Sequence, residues 1–336
     1  GPGAPPNWLM PVPGGLWCEP GGFFVDPTRA VDRAIITHGH ADHARAGHNH
    51  VLATSETLAI MEDRYSDRAG TQRQAARYGE AVRIGDVTIT LRPAGHVLGS
   101  AQAVLEHKGE RIVVSGDYKR RRDPTCPAFE PVPCDLFITE ATFALPVFRH
   151  PDDREEIARL LHTRTVFPER ALLVGAYTLG KAQRILCLLR EAGYDRPIYT
   201  HGSLDAINAT YRRFGIDFGD LRPVMETDKA EMAGEIVLAP PSTLNDRWSR
   251  RLPDPVPCFA SGWMRVRARA RQRAVEVPLV ISDHADWDEL NRTLNDVGAP
   301  HVWVTHGAEE ALIHAATQRG FDARALRLQG YEDDAE

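Results

Sequence analysis

The chain has 336 residues, with 40 basic and 46 acidic side chains and a formal net charge of −6. That length suffices for one large domain or two moderate ones, and the negative balance excludes a protein that holds nucleic acid by bulk positive charge. The five cysteines form no C-x-x-C pair, so we expect reduced thiols and no disulfide framework. No apolar run approaches the roughly 18 residues of a membrane span, and no signal peptide is recognisable. We therefore expect a cytoplasmic protein with no membrane partner.

In chain order, the first third of the sequence is dominated by short strands and turns. Residues 54–77 are predicted to be helical, and residues 82–91 alternate around a Gly-Asp turn, which is typical of a β-hairpin. From residue 152 onward, helices and strands alternate. The predicted order is helix 152–163, strand 171–174, helix 178–192, strand 197–200 and helix 203–214. This alternation predicts a parallel α/β unit.

The most informative motif follows a buried strand predicted over residues 34–36. His38, His40, Asp42 and His43 form the pattern His-x-His-x-Asp-His on a tight loop. Such a loop can direct the first two histidines at one metal while Asp42 and His43 reach another. Imidazole and carboxylate ligands suit zinc or manganese. The alternative is a polar surface loop without a metal.

Further candidate ligands stand at the ends of other strand-like runs. Asp26 closes one such run, where its carboxylate can orient a ligand histidine without binding the metal itself. His96, Asp117 and His306 follow, each beside an apolar run. A single histidine at a strand end is more often a structural residue. Together with the His-x-His-x-Asp-His loop, however, these residues supply enough ligands for two divalent metal ions.

These motifs resemble those of metallo-β-lactamase-fold proteins of the β-CASP nuclease branch. Three further matches belong to that branch: Glu140 in Phe-Ile-Thr-Glu-Ala-Thr, His284 in Ile-Ser-Asp-His-Ala-Asp, and His306 in Thr-His-Gly. Within the branch, the segments at residues 176–183 and 261–264 are most similar to bacterial DNA-ligase-associated exonucleases. A histidine at the position of His306 is, in contrast, typical of RNA-processing members.

The resemblance implies an α/β fold, a metallo-β-lactamase αββα sandwich with an inserted parallel α/β β-CASP domain. We predict the sandwich over residues 1–146 and 274–336 and the insert over residues 147–273, with the active site in the cleft between them. The implied ligand sets are His38, His40 and His96 for one ion and Asp42, His43 and His306 for the other, with Asp117 bridging.

The sequence contains no Gly-x-Ser-x-Gly elbow and no cysteine beside a motif histidine, so water is expected to attack. Two metals held by ligands that include Asp42 and Asp117 would activate that water. By the resemblance, His284 is the general acid that protonates the leaving group, and Glu140 holds its ring. The alternative is a carboxylate–histidine pair with only a structural role.

Three basic segments are candidate nucleic-acid contacts. Arginines alternate along residues 265–273, so in an extended chain they would share one face and match the spacing of phosphates. Lys119 and Arg120 follow Asp117 directly, and Lys181 lies at the start of a predicted helix where amides can hold a phosphate. The alternatives are a solvated edge strand, a charged turn and an ordinary helix start. The arginines in question are Arg265, Arg267, Arg269, Arg271 and Arg273.

The predicted function is therefore that of a single-strand DNA exonuclease acting from the 5′ end in DNA repair. The resemblance also implies a functional association with a DNA ligase. Three alternatives remain open: an RNA-processing β-CASP ribonuclease, a small-molecule metallohydrolase of the glyoxalase II type, and a binding protein with a degenerate site. The last is disfavoured because no ligand of the set is missing.

Overall fold

A computed structural model of the protein describes residues 3–272 and 274–331. Contacts divide the described residues into two units, the first formed by residues 3–149 and 284–331, the second by residues 150–283. The sequence predicts that the chain rejoins the first unit near residue 274. In the structure the return lies at residue 284, because strand Val277–Leu279 pairs with Val256–Ala260 in the sheet of the second unit.

The described residues form nineteen strands and seven α-helices. In chain order, the strands are β1 Leu9–Val12, β2 Gly15–Cys18, β3 Phe23–Val25, β4 Arg33–Ile35, β5 His50–Ala53, β6 Gln72–Ala75, β7 Ala81–Ile84, β8 Val87–Pro93, β9 Ala101–His107, β10 Glu110–Val114, β11 Leu136–Ala141, β12 Leu172–Gly175, β13 Ile198–Thr200, β14 Leu221–Pro223, β15 Ile236–Ala239, β16 Val256–Ala260, β17 Val277–Leu279, β18 His301–Gly307 and β19 Asp322–Ala325. The helices are α1 Ser55–Tyr65, α2 Asp153–Val166, α3 Lys181–Glu191, α4 Asp205–Arg213, α5 Arg267–Gln272, α6 Trp287–Val297 and α7 Glu309–Gln318.

The first unit contains two sheets. One has six strands in the order β1-β2-β3-β4-β5-β6, and the other has seven in the order β19-β18-β11-β10-β9-β8-β7. The predicted hairpin is confirmed, because β7 and β8 pair antiparallel and Ile84 lies opposite Val87 across the Gly85-Asp86 turn. The predicted helix over residues 54–77 is only partly correct. It ends at Tyr65, and the chain then forms β6 at the edge of the six-stranded sheet.

Apolar side chains from the two sheets share one buried core. Phe23 and Ile35 from the first sheet and Leu105 and Ile112 from the second lie in the same cluster, each fully buried. Burying one such side chain stabilises the fold by about 1.5–3 kcal/mol. Two further clusters attach helices to the sheets. Met61 of α1 packs with residues of β4 and β5, and α6 and α7 pack with β10, β11 and β18.

The second unit is built on a six-stranded sheet in the order β14-β13-β15-β12-β16-β17, in which every pair is parallel. Helices α2, α3 and α4 alternate with its strands along the chain, as the sequence predicted. Asp152 begins α2 as predicted, because its carboxylate accepts a hydrogen bond of 2.8 Å from the backbone N–H of Arg154. The α/β class is thus confirmed.

The predicted row of arginines on an extended strand is wrong. Residues 262–265 form a 3₁₀ turn, and α5 covers Arg267–Gln272. Alternate residues of a helix point about 200° apart, so arginines at period two do not share one face there. Arg273 lies outside the described residues. Among the residues that the structure describes, no helix is both long and apolar enough to cross a membrane.

Candidate metal and catalytic centre

The candidate ligands converge because strands of the first unit end at common edges. Asp26 follows β3, and the His38–His43 loop follows β4, which is parallel to β3. Asp117 follows β10, while Glu140 and His306 lie near the ends of β11 and β18, and these three strands are mutually parallel neighbours. Parallel strands bring their carboxyl ends to the same edge of a sheet, so residues far apart in sequence meet there.

Two glycines are required by close packing around these loops. Gly116 has a φ of +58°, and a Cβ there would lie 2.8 Å from Thr37 Oγ1. A Cβ on Gly39 would lie 2.6 Å from Cγ2 of Ile60 in α1. Both distances are too short for a side chain. The backbone next to Asp117 and His38 can therefore approach its neighbours only because these positions carry no Cβ.

The structure brings together one complete group of predicted ligands: His38, His40, His96 and Asp117. Their ligand atoms all lie within 4.8 Å of one another. His38 Nε2 and His96 Nε2 are 3.4 and 3.9 Å from Asp117 Oδ2, and His96 Nε2 is 3.2 Å from His40 Nδ1. All but the half-buried His40 are buried. This is the ligand set predicted for the first ion.

Hydrogen bonds fix the tautomer of His38. The Thr37 hydroxyl donates to Asp26 Oδ2 at 2.6 Å, so its oxygen is left to accept the Nδ1–H of His38 at 3.0 Å. His38 Nε2 is then a bare lone pair. It is buried, and within the described residues it has no hydrogen-bond partner. A buried polar atom without a partner is costly unless something binds it, and a divalent metal ion does so directly.

The second predicted group is centred on His43. Its Nδ1–H donates to Asp26 Oδ2 at 2.8 Å, which directs Nε2 at two carboxylates. Nε2 lies 3.8 Å from Asp42 Oδ2 and 3.4 Å from Asp117 Oδ2. The His306 ring is 5.3 Å from the His43 ring, centroid to centroid. Asp117 thus borders both groups, as a bridging ligand must. His306 lies next to the second group because its ring packs against the His43 ring.

The protonation states of these residues suit a cation. Burial disfavours a charged His43, but Asp117 and Asp26 outweigh it, so the pKa of His43 is raised well above its usual value. Burial also acts against a charged Asp117, yet His43 and His38 hold the pKa of Asp117 well below its usual value. Burial, and then the neighbouring His43, lowers the pKa of His306 to about 4. A metal ion binds neutral histidines and ionised carboxylates, so at this centre it would displace the proton that the raised pKa places on His43.

The donor set therefore fits a divalent metal centre. Imidazole nitrogens predominate, and the carboxylates of Asp42 and Asp117 add oxygen ligands. Zinc accepts this combination, and the oxygen ligands also suit manganese. Asp26 is close enough to His38 and His43 to be counted with them. Its two oxygens, however, already accept hydrogen bonds from Thr37 and His43, so it orients ligands rather than replacing them.

His284 and Glu140 form a buried pair beside this centre. The Nδ1–H of His284 donates to Glu140 Oε1 at 2.8 Å, and the His284 ring lies 4.8 Å from the His96 ring. Glu140 also accepts hydrogen bonds from the backbone N–H groups of Tyr118 and Thr142, at 2.9 and 3.1 Å. These bonds fix the carboxylate, and the carboxylate in turn fixes the Nδ1 side of the His284 ring.

Sequence reasoning missed two residues that contact the centre. Thr37 fixes both Asp26 and His38 through its hydroxyl, and its position directly before the histidine loop could have indicated this. Tyr331 packs its ring 4.4 Å from the His306 ring and 5.1 Å from the His43 ring. No local pattern marks Tyr331, because the contact depends on a chain segment some 25 residues beyond the last motif histidine.

Three predicted nucleic-acid contacts are engaged inside the protein. Lys119 is buried and forms an ion pair with Asp123. Lys181 is fully buried, with Asp283 Oδ2 3.7 Å from its ammonium nitrogen. Burial contradicts the prediction that either lysine binds a phosphate from solvent. The Arg120 guanidinium donates to Thr293 Oγ1 at 2.9 Å and to Asp296 Oδ2 at 2.8 Å, so its predicted phosphate contact would require breaking these bonds.

Comparisons with known proteins reveal several relatives. A "Probable DNA ligase" of Opitutus terrae is 29% identical over 95% of this chain and 31% of that protein. "Cleavage and polyadenylation specificity factor subunit 3-I" of Arabidopsis thaliana is 24% identical over 86% of this chain and 53% of that protein. "Endoribonuclease YSH1" of Eremothecium gossypii is 30% identical over 50% of this chain and 22% of that protein. The chain thus spans between a fifth and about half of the length of these relatives.

One solved structure, a protein of unknown function from Enterococcus faecalis V583, has a TM-score of 0.58 at 12% identity. The similarity covers 89% of this chain and 80% of that chain, and it concerns the fold alone. No protein-family model matches the sequence.

A buried histidine–carboxylate cluster at strand ends of an α/β scaffold defines a candidate metalloprotein. The cluster and the relatives together indicate a more specific class of protein. The chain is similar to members of the β-CASP branch of the metallo-β-lactamase family, and this similarity supports the resemblance carried by its motifs.

We expect the purified protein to bind two divalent ions, roughly 3.5–4 Å apart. Asp117→Ala should reduce the binding of both ions, because Asp117 borders both ligand groups, whereas His40→Ala should affect only one. Metal analysis after equilibrium dialysis against zinc or manganese measures this. His107→Ala is the matched control, since His107 belongs to the same unit and bonds to the carbonyl of Asp86, away from the ligand groups. A saturated wild-type protein with a single ion would contradict the prediction.

Proposed function

We propose that the chain is a metal-dependent nuclease that hydrolyses phosphodiester bonds, and specifically a single-strand DNA exonuclease acting from the 5′ end in DNA repair. The observation that carries the proposal is the buried metal-ligand cluster next to a histidine whose ring is held by a glutamate. We assign the first unit to a metallo-β-lactamase αββα sandwich and the second to its β-CASP insert. The similarity to β-CASP relatives and the division of the sheets between the two units support this assignment.

Each residue of the centre has a part in the proposed reaction. When bound, two divalent ions would activate the attacking water and neutralise the non-bridging oxygens of the phosphate. Asp117 and the histidines hold those ions, and Asp26 keeps His43 in the tautomer that presents Nε2. His284 donates a proton from Nε2 to the departing oxygen. Glu140 accepts the Nδ1–H bond of His284 and stabilises its protonated form.

The second unit offers a basic and aromatic surface segment for a nucleic-acid strand. Between residues 247 and 273 the sequence contains eight arginines and one acidic residue, Asp254, although the whole chain is acidic. Arg247, Arg250 and Arg251 are exposed, and none of them has an ion-pair partner within the described part of the chain. Trp248 lies among them, half-buried against the ring of His201 at 4.7 Å. Basic side chains with interspersed aromatic rings are typical of surfaces that bind single strands.

The sequence prediction did not include Arg247, Arg250 and Arg251. Within the predicted row, Arg269 stacks on Trp263, with 4.8 Å from its guanidinium carbon to the ring centroid. Arg265 and Arg271 are exposed and stay candidate contacts, and Arg267 stays a prediction from the sequence. These residues contribute local positive charge, although they do not form the extended row.

A second candidate function is an RNA-processing endoribonuclease. It is favoured by the relatives whose names contain "Endoribonuclease" and by His306, which matches RNA-processing members of the family. DNA is favoured by the Opitutus terrae relative, which aligns with 95% of this chain and carries the name of a ligase. That name also supports the proposed functional association with a DNA ligase. A glyoxalase-II-type hydrolase is less well supported, because it gives no role to the second unit or to His284.

We predict that His284→Ala retains both metal ions and substrate binding but loses cleavage by a factor on the order of 10²–10⁴. The loss arises because the departing alkoxide no longer receives a proton. A substrate whose leaving group has a low pKa needs no such proton, so it should be cleaved at nearly the wild-type rate. His107→Ala should leave both rates unchanged. Equal slowing of both substrates by His284→Ala would contradict the general-acid role.

Substrate and direction can be tested with end-labelled strands. We expect a 5′-labelled DNA strand to release labelled mononucleotide at once, while a 3′-labelled strand shortens progressively. RNA of matched sequence should be cleaved more slowly. Strong preference for RNA, or rapid internal cleavage of closed circular single strands, would instead support the endoribonuclease alternative.

Replacing Arg247, Arg250 and Arg251 with alanine should weaken strand binding without regard to sequence. The log–log dependence of affinity on salt should flatten by about one unit for each phosphate that the variant no longer binds. Binding measured by fluorescence anisotropy at several salt concentrations provides the slope. The matched control replaces Arg154, Arg212 and Arg222, three exposed arginines of the same unit, of which Arg154 and Arg222 pair with neighbouring aspartates. An unchanged slope in the variant of Arg247, Arg250 and Arg251 would indicate that this segment is a solvated surface that does not bind the strand.

A further inference from the structure

The segment that follows β19 returns to the candidate metal centre. The N–H of Leu326 donates to the carbonyl of Val304 at 2.8 Å, and Leu326 and Leu328 pack into the core between the two sheets. Arg45, two residues beyond His43, donates to the carbonyl of Gly330. The segment 326–331, which we call the C-terminal strap, is therefore attached to the first unit at three points before it reaches Tyr331.

Tyr331 contacts both of the outer histidines of the centre. Its ring is 4.4 Å from the His306 ring in an edge-to-face arrangement of 74°, and 5.1 Å from the His43 ring. Its hydroxyl donates a hydrogen bond to the backbone carbonyl of Asp26. Asp26 is the residue whose carboxylate orients His43. The Tyr331 side chain therefore contacts both His43 and the residue that holds His43 in place.

His306 needs such a contact more than the other histidines do. His38, His43 and His284 are each oriented through Nδ1, by Thr37, Asp26 and Glu140 respectively. Metal-binding histidines nearly always have a partner of this kind, which fixes the ring. Within the described residues, by contrast, the His306 ring makes no hydrogen bond, and it packs against the rings of His43 and Tyr331.

The backbone at both contact points is also of an unusual kind. Asp26 has a φ of +46° and His306 a φ of +57°, values that lie in the left-handed region and that residues other than glycine disfavour. Such conformations persist where surrounding contacts hold them. The tyrosine hydroxyl binds the carbonyl of the first residue, and the tyrosine ring packs against the side chain of the second.

We propose that Tyr331 is a positioning residue that supports one of the two metal sites, the one formed by Asp42, His43 and His306. Its ring holds His306 against His43, and its hydroxyl keeps Asp26 in place behind His43. In the site formed by His38, His40 and His96, Thr37 orients His38. No contact of Tyr331 with these three histidines is observed in the described part of the chain, so we expect this site not to depend on Tyr331. The proposal rests on the two-ion centre of the proposed function.

The test is a titration of the metal-free, full-length protein with Co²⁺. Visible absorption and calorimetry measure the binding. In the wild type we expect two classes of site. Tyr331→Leu keeps a bulky apolar side chain and should weaken one class by about 10–100-fold, the range typical of lost ligand support, with the other class within about twofold. Tyr331→Phe keeps the ring and should recover most of the affinity.

The matched control is Tyr194→Phe. The Tyr194 hydroxyl donates to Glu235 Oε2 at 2.9 Å within the second unit, so the substitution removes a comparable buried hydrogen bond away from the metal ligands. Both classes of site should keep wild-type affinity in this variant. The melting temperatures of the metal-free variants show whether each protein folds.

Three results would overturn the proposal. The first is a Tyr331→Leu variant that binds both ions with wild-type affinity. The second is a Tyr331→Leu variant that weakens both classes equally and lowers the melting temperature of the metal-free protein, which is the behaviour of a general structural residue. The third is a Tyr331→Phe variant as weak as Tyr331→Leu, which would exclude the role of the ring.

A wild-type protein that binds one ion contradicts the two-ion centre instead, so failure of the proposed function is distinguishable from failure of the role of Tyr331. In that case the role of Tyr331 is supported if Tyr331→Leu weakens the single ion by at least about tenfold. It is rejected if the affinity for that ion is unchanged.

Discussion

The candidate metal centre is built around a carboxylate, Asp117, that is buried among histidines. A charge taken out of water is costly unless an opposite charge accompanies it. Here His38, His43 and His96 surround Asp117 at 3.4 to 3.9 Å, and the proton on His43 is one cation that can satisfy it. A divalent ion satisfies the same cluster better, because each lone pair directed at the centre then has a partner. The carboxylates of Asp117 and Asp26 therefore favour positive charge in the cluster, and despite burial they raise the pKa of His43.

The cluster can form because the scaffold holds its parts rigidly. The ligands lie at the ends of strands that bury apolar side chains, such as Phe23, Ile35 and Ile112, between the two sheets. Asp26 then connects the two halves of the histidine loop, since its carboxylate accepts the N–H and hydroxyl of Thr37 on one side and the ring of His43 on the other. Replacing Asp26 would therefore disturb His38 and His43 together, although Asp26 binds no metal in the proposed arrangement.

Local sequence patterns are sufficient to predict much of the candidate site and part of the fold. The spacing of His38, His40, Asp42 and His43 and the position of Asp117 after a strand are visible in sequence, and so is the alternation of the second unit. The pairing of Glu140 with His284 spans 144 positions, and here only the family resemblance connected them. The arginine row failed for a different reason. A period of two predicts an extended strand, but α5 forms there, because alanine and arginine both favour helices.

Lys119 shows a further limit of sequence reasoning. A basic residue next to a ligand in sequence need not face the ligand in space: Lys119, two positions after Asp117, turns inward to Asp123. The histidines, in contrast, follow a common rule. An oxygen holds Nδ1 in His38, His43 and His284, and this arrangement would suit both the proposed metal ligands and the proposed proton donor. The partner alone does not separate the two roles, because a carboxylate holds Nδ1 in both His43 and His284. Their surroundings do: the Nε2 of His43 faces the carboxylates of Asp42 and Asp117, where a metal ion would bind, whereas the His284 ring lies beside the ring of His96.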